Sequence, residues 1–129
     1  MNKEFVPYTE AFELKQLGFD EPCFFAFDNC STPMRCTDLR TGEQRFNGVN
    51  YNSSSYTSQP TFSQAFRWFR ETYDLMGLIL PYLIIGNRWR YQITNRNNSS
   101  GLPFEEGFDT YEEAELACLR KLIEIVKNK

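Results

Sequence analysis

A chain of 129 residues lies within the range of a single domain and is long enough to bury an apolar core without metal or disulfide support. Its 41% hydrophobic content, with 16% aromatic residues and 12 phenylalanines, excludes whole-chain disorder and points to a core built largely from rings. The net charge of −3 is mild but uneven: residues 1–60 carry five basic and eight acidic side chains, residues 61–100 five and two, and residues 101–129 four and seven. An acidic whole argues against strong non-specific nucleic-acid binding, and the basic middle keeps a local face in play.

In chain order, Pro7-Tyr8-Thr9 opens a first helix over about 8–17, and Gly18 supplies the left-handed residue that commonly closes one. After Pro22, Cys23-Phe24-Phe25-Ala26-Phe27 is an aromatic run too brief for a helix and is expected to form a buried strand, broken by Asp28-Asn29. Residues 30–60 are rich in Ser, Thr, Asn, Gly and Tyr; Arg40-Thr41-Gly42-Glu43 suits a turn between two weak strands, and 41–60 reads as a flexible loop. Tyr51 and Tyr56 within it belong either to an adaptable contact surface or to ordinary exposed loop.

A helical period then takes over at 61–74, where Phe62, Ala65, Phe66, Phe69 and Tyr73 share one face. Trp68 lies off that face, flanked by Arg67 and Arg70. The longest apolar stretch, Met76 to Ile85, has ten residues and contains Gly77 and Pro81, about half of what a membrane-spanning helix needs. It is a core strand candidate. Gly86-Asn87 suits a two-residue type II′ turn joining strands 80–85 and 88–94. That turn would set Ile85 opposite Arg88, with Ile84, Tyr82 and Leu80 facing Trp89, Tyr91 and Ile93 inward and Arg88, Arg90 and Gln92 on the other side.

Asn95 to Gly107 is expected to be a polar loop. Asp109-Thr110-Tyr111-Glu112-Glu113 then matches a capping box, opening a helix over 110–127 whose apolar arc covers about half its circumference. The expected fold class is α+β: a small antiparallel sheet that includes the hairpin 80–85/88–94, with three helices packed mainly on one face, in one domain spanning 1–129.

Three blocks carry a resemblance. Leu17-Gly18-Phe19-Asp20-Glu21-Pro22-Cys23, Ala65-Phe66-Arg67-Trp68-Phe69-Arg70-Glu71, and Tyr111-Glu112-Glu113-Ala114-Glu115-Leu116-Ala117 with the tail Lys121-Leu122-Ile123-Glu124 resemble a group of uncharacterised small proteins from bacteriophages, prophages and mobile elements of gut Bacteroides-type bacteria. The helix, hairpin, helix order is similar to phage domains described as α/β/α sandwiches. The resemblance implies an origin and a fold; it supplies no activity, cofactor or site residue.

With no histidine in the chain, the usual base for a Cys or Ser nucleophile is missing. Cys23, Cys30, Cys36 and Cys118 fit none of the close pairs that zinc sites favour and are expected to be reduced thiols. The seven glycines are dispersed and form no nucleotide-binding fingerprint. Glu105, Glu106, Asp109, Glu112 and Glu113 cluster as carboxylates do in glycoside hydrolysis, but acidic residues before and within a first helical turn are also what the helix dipole favours.

The candidate surface is Trp68, Arg67, Arg70, Arg88 and Arg90, with Arg96, Trp89 and Tyr91 nearby in sequence. Aromatics with guanidinium groups are what single-stranded nucleic-acid surfaces use, yet alternating Arg on a strand is more often an ordinary solvated face, and Trp68 suits a protein interface. The expectation is a non-enzymatic accessory or interaction protein that binds a macromolecular partner, without cofactor or metal. A protein partner or a second copy is favoured, and weak nucleic-acid binding through the Arg88/Arg90 strand face is the alternative. Residues 1–7 carry no apolar signal segment, so the chain reads as cytoplasmic, with no membrane role.

Overall fold

The structure is a computed structural model that describes residues 4–21, 23, 25–28, 35–36, 56–82, 88–95 and 103–128. It has an α+β fold with the element order α1 (Tyr8–Gln16), β1 (Phe25–Asp28), β2 (Arg35–Cys36), β3 (Tyr56–Gln59), α2 (Phe62–Tyr73), β4 (Leu75–Tyr82), β5 (Arg88–Asn95), β6 (Phe104–Phe108) and α3 (Tyr111–Lys127). The sequence reading treats 1–129 as one domain; the chain divides into two compact units, Met1–Thr61 and Phe62–Lys129.

In the first unit, Pro7 starts α1 where its missing N–H costs nothing, and a Schellman closure ends the helix. Gly18 stands at φ +100°, its N–H reaching the Lys15 carbonyl at 3.1 Å while that of Phe19 reaches Leu14 at 3.0 Å. The helix packs against β3, burying Ala11 and Leu14 beside Val6 and Phe19. The strands form an antiparallel sheet in the order β2-β1-β3, with Ala26 opposite Cys36 on one side and Ser58 on the other. Val6 donates its N–H to Pro60, and the Gln59 amide nitrogen donates to the Val6 carbonyl at 3.1 Å. The Gln59 Oε1 is buried and meets no partner among the described residues. β3 falls inside the segment expected to be loop, whereas 41–55 and the Arg40 to Glu43 turn lie outside the described residues.

In the second unit, α2 passes into β4 through a single residue, Asp74 at φ +58°, a left-handed conformation that Asp tolerates better than most side chains. β4, β5 and β6 form an antiparallel sheet in that order. Both helices lie on the face that carries Gly77 and Ile93: a Cβ on Gly77 would come within 2.8 Å of the Cys118 sulfur on α3 and 3.2 Å of the Phe66 ring on α2. Phe69, Ile93, Cys118, Leu119 and Leu122 are fully buried there.

The hairpin register differs from the expected one. Tyr82 stands opposite Arg88 and Gly77 opposite Ile93, where Ile85 opposite Arg88 was expected; the Gly86-Asn87 turn itself lies outside the described residues. The slip is three residues, an odd number, so every β4 side chain changes face. Tyr91 now faces Ile79 and Trp89 faces Pro81, while Leu78 and Leu80 move to the side of the arginines. A second difference is β6, which occupies part of the expected polar loop.

Candidate interaction surface

The face of the β4-β5-β6 sheet opposite α2 and α3 is built by alternation. Residues 76, 78 and 80 of β4 share it with 88, 90, 92 and 94 of β5. On β6 an extra residue is inserted opposite the Trp89/Arg90 step, at Gly107 with φ +96°, so Phe108 faces the helices while Phe104 and Glu106 face the open side. Two rows of side chains result across the three strands: Leu78, Gln92, Phe104, and Leu80, Arg90, Glu106. Leu78 is 43% exposed and Phe104 61%, two of the three large apolar side chains most open to solvent among the described residues.

One arginine of this face is paired with a carboxylate and the other has one across the ladder. Arg88 Nη1 donates to Asp109 Oδ1 at 2.7 Å and to the Gly107 carbonyl at 3.2 Å, tying the start of β5 to the β6–α3 turn. Both side chains are largely in solvent, so the pair contributes at most about 1 kcal/mol; its effect is to neutralise. Arg90 lies directly across from Glu106. Among the described residues, the basic side chains of the middle segment therefore do not gather into one positive patch; Arg96 lies outside the described residues. Arg67 and Arg70 are exposed on α2, in the layer on the other side of the sheet from Arg88 and Arg90.

Of the residues singled out in the sequence, the structure brings Arg88 and Arg90 onto one face and separates them from Arg67, Arg70 and Trp68. Trp68 is only 6% exposed, its ring edge-on to Phe69 at 5.1 Å and to Tyr73 at 5.4 Å. The buried arc of α2 is wider than the five-residue face suggested, because an indole 60° beyond Ala65 still reaches neighbouring rings. Trp89 meets Tyr111 edge-on at 5.3 Å, and Tyr91 is buried with its hydroxyl donating to Glu105 Oε2 at 3.2 Å. Burial, then the Glu105 charge, raises the Tyr91 phenol above its usual range.

Other groups offer little reactive chemistry. Burial pushes the Cys23 thiol up to about 12, against a lowering hydrogen bond from Ser58, and pushes Cys118 up to about 12 as well, so both stay protonated at neutral pH. Asp109 holds Arg88, Glu113 caps α3 and Glu105 accepts from Tyr91, which engages three of the five clustered carboxylates structurally. Glu115 is raised from 4.5 to about 7 by desolvation and then by Glu112, one turn away on the same helix. Among the described residues no three His, Cys, Asp or Glu side chains converge on a metal position, and no helix is long and apolar enough to cross a membrane.

Sequence reasoning missed Leu78 and Phe104. The signal for Phe104 is Phe-Glu-Glu-Gly-Phe, in which a glycine bulge hides the strand's alternation. Leu78 becomes visible only once the register is known. Comparison with protein-family models, curated proteins and solved structures finds no match.

Proposed function

We propose that this chain is a non-enzymatic accessory or interaction protein of phage or mobile-element type, acting by binding a macromolecular partner through the open face of its β4-β5-β6 sheet. The carrying observation is the row Leu78, Gln92, Phe104, in which two large apolar side chains stand in solvent on either side of an amide. Exposed apolar side chains placed together and rimmed by charge, here Arg90 and Glu106, mark protein interaction sites. The phage or mobile-element attribution rests on the resemblance of the Leu17–Cys23, Ala65–Glu71 and Tyr111–Ala117 blocks.

Nucleic acid is the second reading, favoured by one observation: Phe104 offers an exposed ring on the same face as Arg88, Arg90 and Gln92, the combination on which single-stranded bases stack. The carboxylates beside both arginines weigh against it.

One set of measurements separates the two. Labelled single-stranded DNA, single-stranded RNA and duplex DNA are titrated with wild type, Phe104→Glu, and Arg88→Glu with Arg90→Glu, at low and physiological salt. In parallel, a photo-crosslinker on Gln92 captures partners from a host extract. The protein reading expects no salt-dependent nucleic-acid affinity and a crosslinked protein that disappears with Phe104→Glu. Micromolar nucleic-acid binding that weakens with salt and is lost in the double arginine variant would put the second reading first. Crosslinking unaffected by Phe104→Glu would mean that the face is wrong.

A further inference from the structure

Strand β4 has β5 on one side and, among the described residues, no strand on the other. The direction of its main-chain groups follows from one hydrogen bond. Ile93 donates its N–H to the Pro103 carbonyl, away from β4, so the even residues 90, 92 and 94 of β5 turn their N–H and C=O groups toward β4. Their partners Leu80, Leu78 and Met76 are thereby satisfied, and Leu75, Gly77, Ile79 and Pro81 direct their main-chain groups outward. Pro81 sits where an absent N–H leaves no gap in the ladder, as edge prolines do. Gly77 has no side chain and yet is partly exposed, so its main chain is what solvent reaches.

We propose that this edge pairs antiparallel with β4 of a second copy of the chain, with Leu78 opposite its own counterpart on the two-fold axis. In that register Gly77 and Ile79 of one copy exchange both main-chain hydrogen bonds with Ile79 and Gly77 of the other. The Leu75 N–H meets the carbonyl of Pro81, the one group that residue can offer. The side chains agree: Leu78 packs on Leu78, Met76 on Leu80, and Ile79 stands over a glycine.

Charge selects a second copy as the occupant. Two-fold pairing sets a strand against itself, so any acidic or basic residue near the axis would meet a like charge or be buried unpaired, and Leu75–Tyr82 contains no Asp, Glu, Lys or Arg. Edges that are meant to stay single carry charges or bulges along their length, and β4 has only a proline near its end. The pairing would also cover the exposed Leu78 and join the two sheets into one of six strands. It shares Leu78 with the proposed partner face but rests on the main-chain groups of the strand edge, which that reading does not use.

Sedimentation equilibrium of the full chain over the micromolar range tests this, with far-UV circular dichroism to check folding. Wild type is expected at twice the mass of one chain. Leu78→Lys, which sets two ammonium groups against each other from a position already in solvent, is expected at the mass of one chain with an unchanged spectrum. Ile79→Pro, which removes an outward N–H and spares the β4–β5 ladder, is expected to do the same. Leu78→Cys, treated with oxidised glutathione as the two-electron oxidant, is expected to give a disulfide-linked dimer through the two introduced thiols, since directly opposed positions lie within disulfide reach. Phe104→Glu is expected to leave the dimer intact, which keeps failure of this proposal separable from failure of the partner reading. A wild-type monomer at every concentration overturns the proposal, and so does a dimer that survives Leu78→Lys.

Discussion

Glu115 lies on α3 one turn beyond Glu112, half-buried, and both desolvation and the neighbouring charge act against its ionised form. Its folded value of about 7 exceeds its ordinary 4.5, so between those limits the folded chain binds a proton that the unfolded chain has released. The stability associated with protonated Glu115 is therefore fully present below about 4.5 and is lost as pH rises through about 7. Glu115→Gln removes this dependence. Urea unfolding of both proteins at pH 5 and pH 8 should show the variant gaining on wild type at the higher pH. A difference that does not change with pH would mean that Glu115 titrates at its ordinary value. Nothing in the sequence pattern distinguishes this glutamate from the others in Glu-Glu-Ala-Glu; what singles it out is how far α3 sinks onto the sheet.

At the level of elements, α3 carries its own start signal. Thr110 accepts the Glu113 N–H at 3.1 Å, and the Glu113 carboxylate returns to the Asp109 N–H at 3.3 Å, a capping box that reaches back one residue further than usual. Thr110→Ala should cost about 0.5–2 kcal/mol in chemical denaturation, and Thr110→Asn should recover most of it. The packing of α2 and α3 on β4 depends instead on what is missing at Gly77. An alanine there would place its methyl 2.8 Å from the Cys118 sulfur, which is fully buried and has nowhere to go. Gly77→Ala is expected to lose about 1–3 kcal/mol of stability, and combining it with Cys118→Ala to lose less than the two single changes together. Additive losses would place the strain elsewhere. The cap was legible from Thr110 and Glu113 alone because capping is local. The glycine contact was not, since it joins residues 41 positions apart.

For the whole molecule, the partner reading and the dimer reading both rest on where apolar side chains come to the surface, and that was decided late in the chain of causes. Composition, helical period and capping chemistry determined the α+β class, three helices within a residue or two of their ends, and the inward face of β5, because these depend on neighbours within about a turn or on a strict alternation. Gly18 and its Schellman closure belong to the same group. Strand pairing did not follow. The Gly86-Asn87 turn was the strongest local hairpin signal, yet an uninterrupted apolar run offers no alternation to fix its partner, so several registers satisfy it equally. The register observed sets Gly77 against Cys118 and Phe66, a packing open to a residue without a side chain. That choice turns Leu78 and Leu80 outward beside Arg90, and the bulge at Gly107 brings Phe104 to the same face. The sequence by itself determined which segments are helix and which β5 residues are core; tertiary structure decided which residues form the surface, because an odd register slip reverses a whole strand at no local cost.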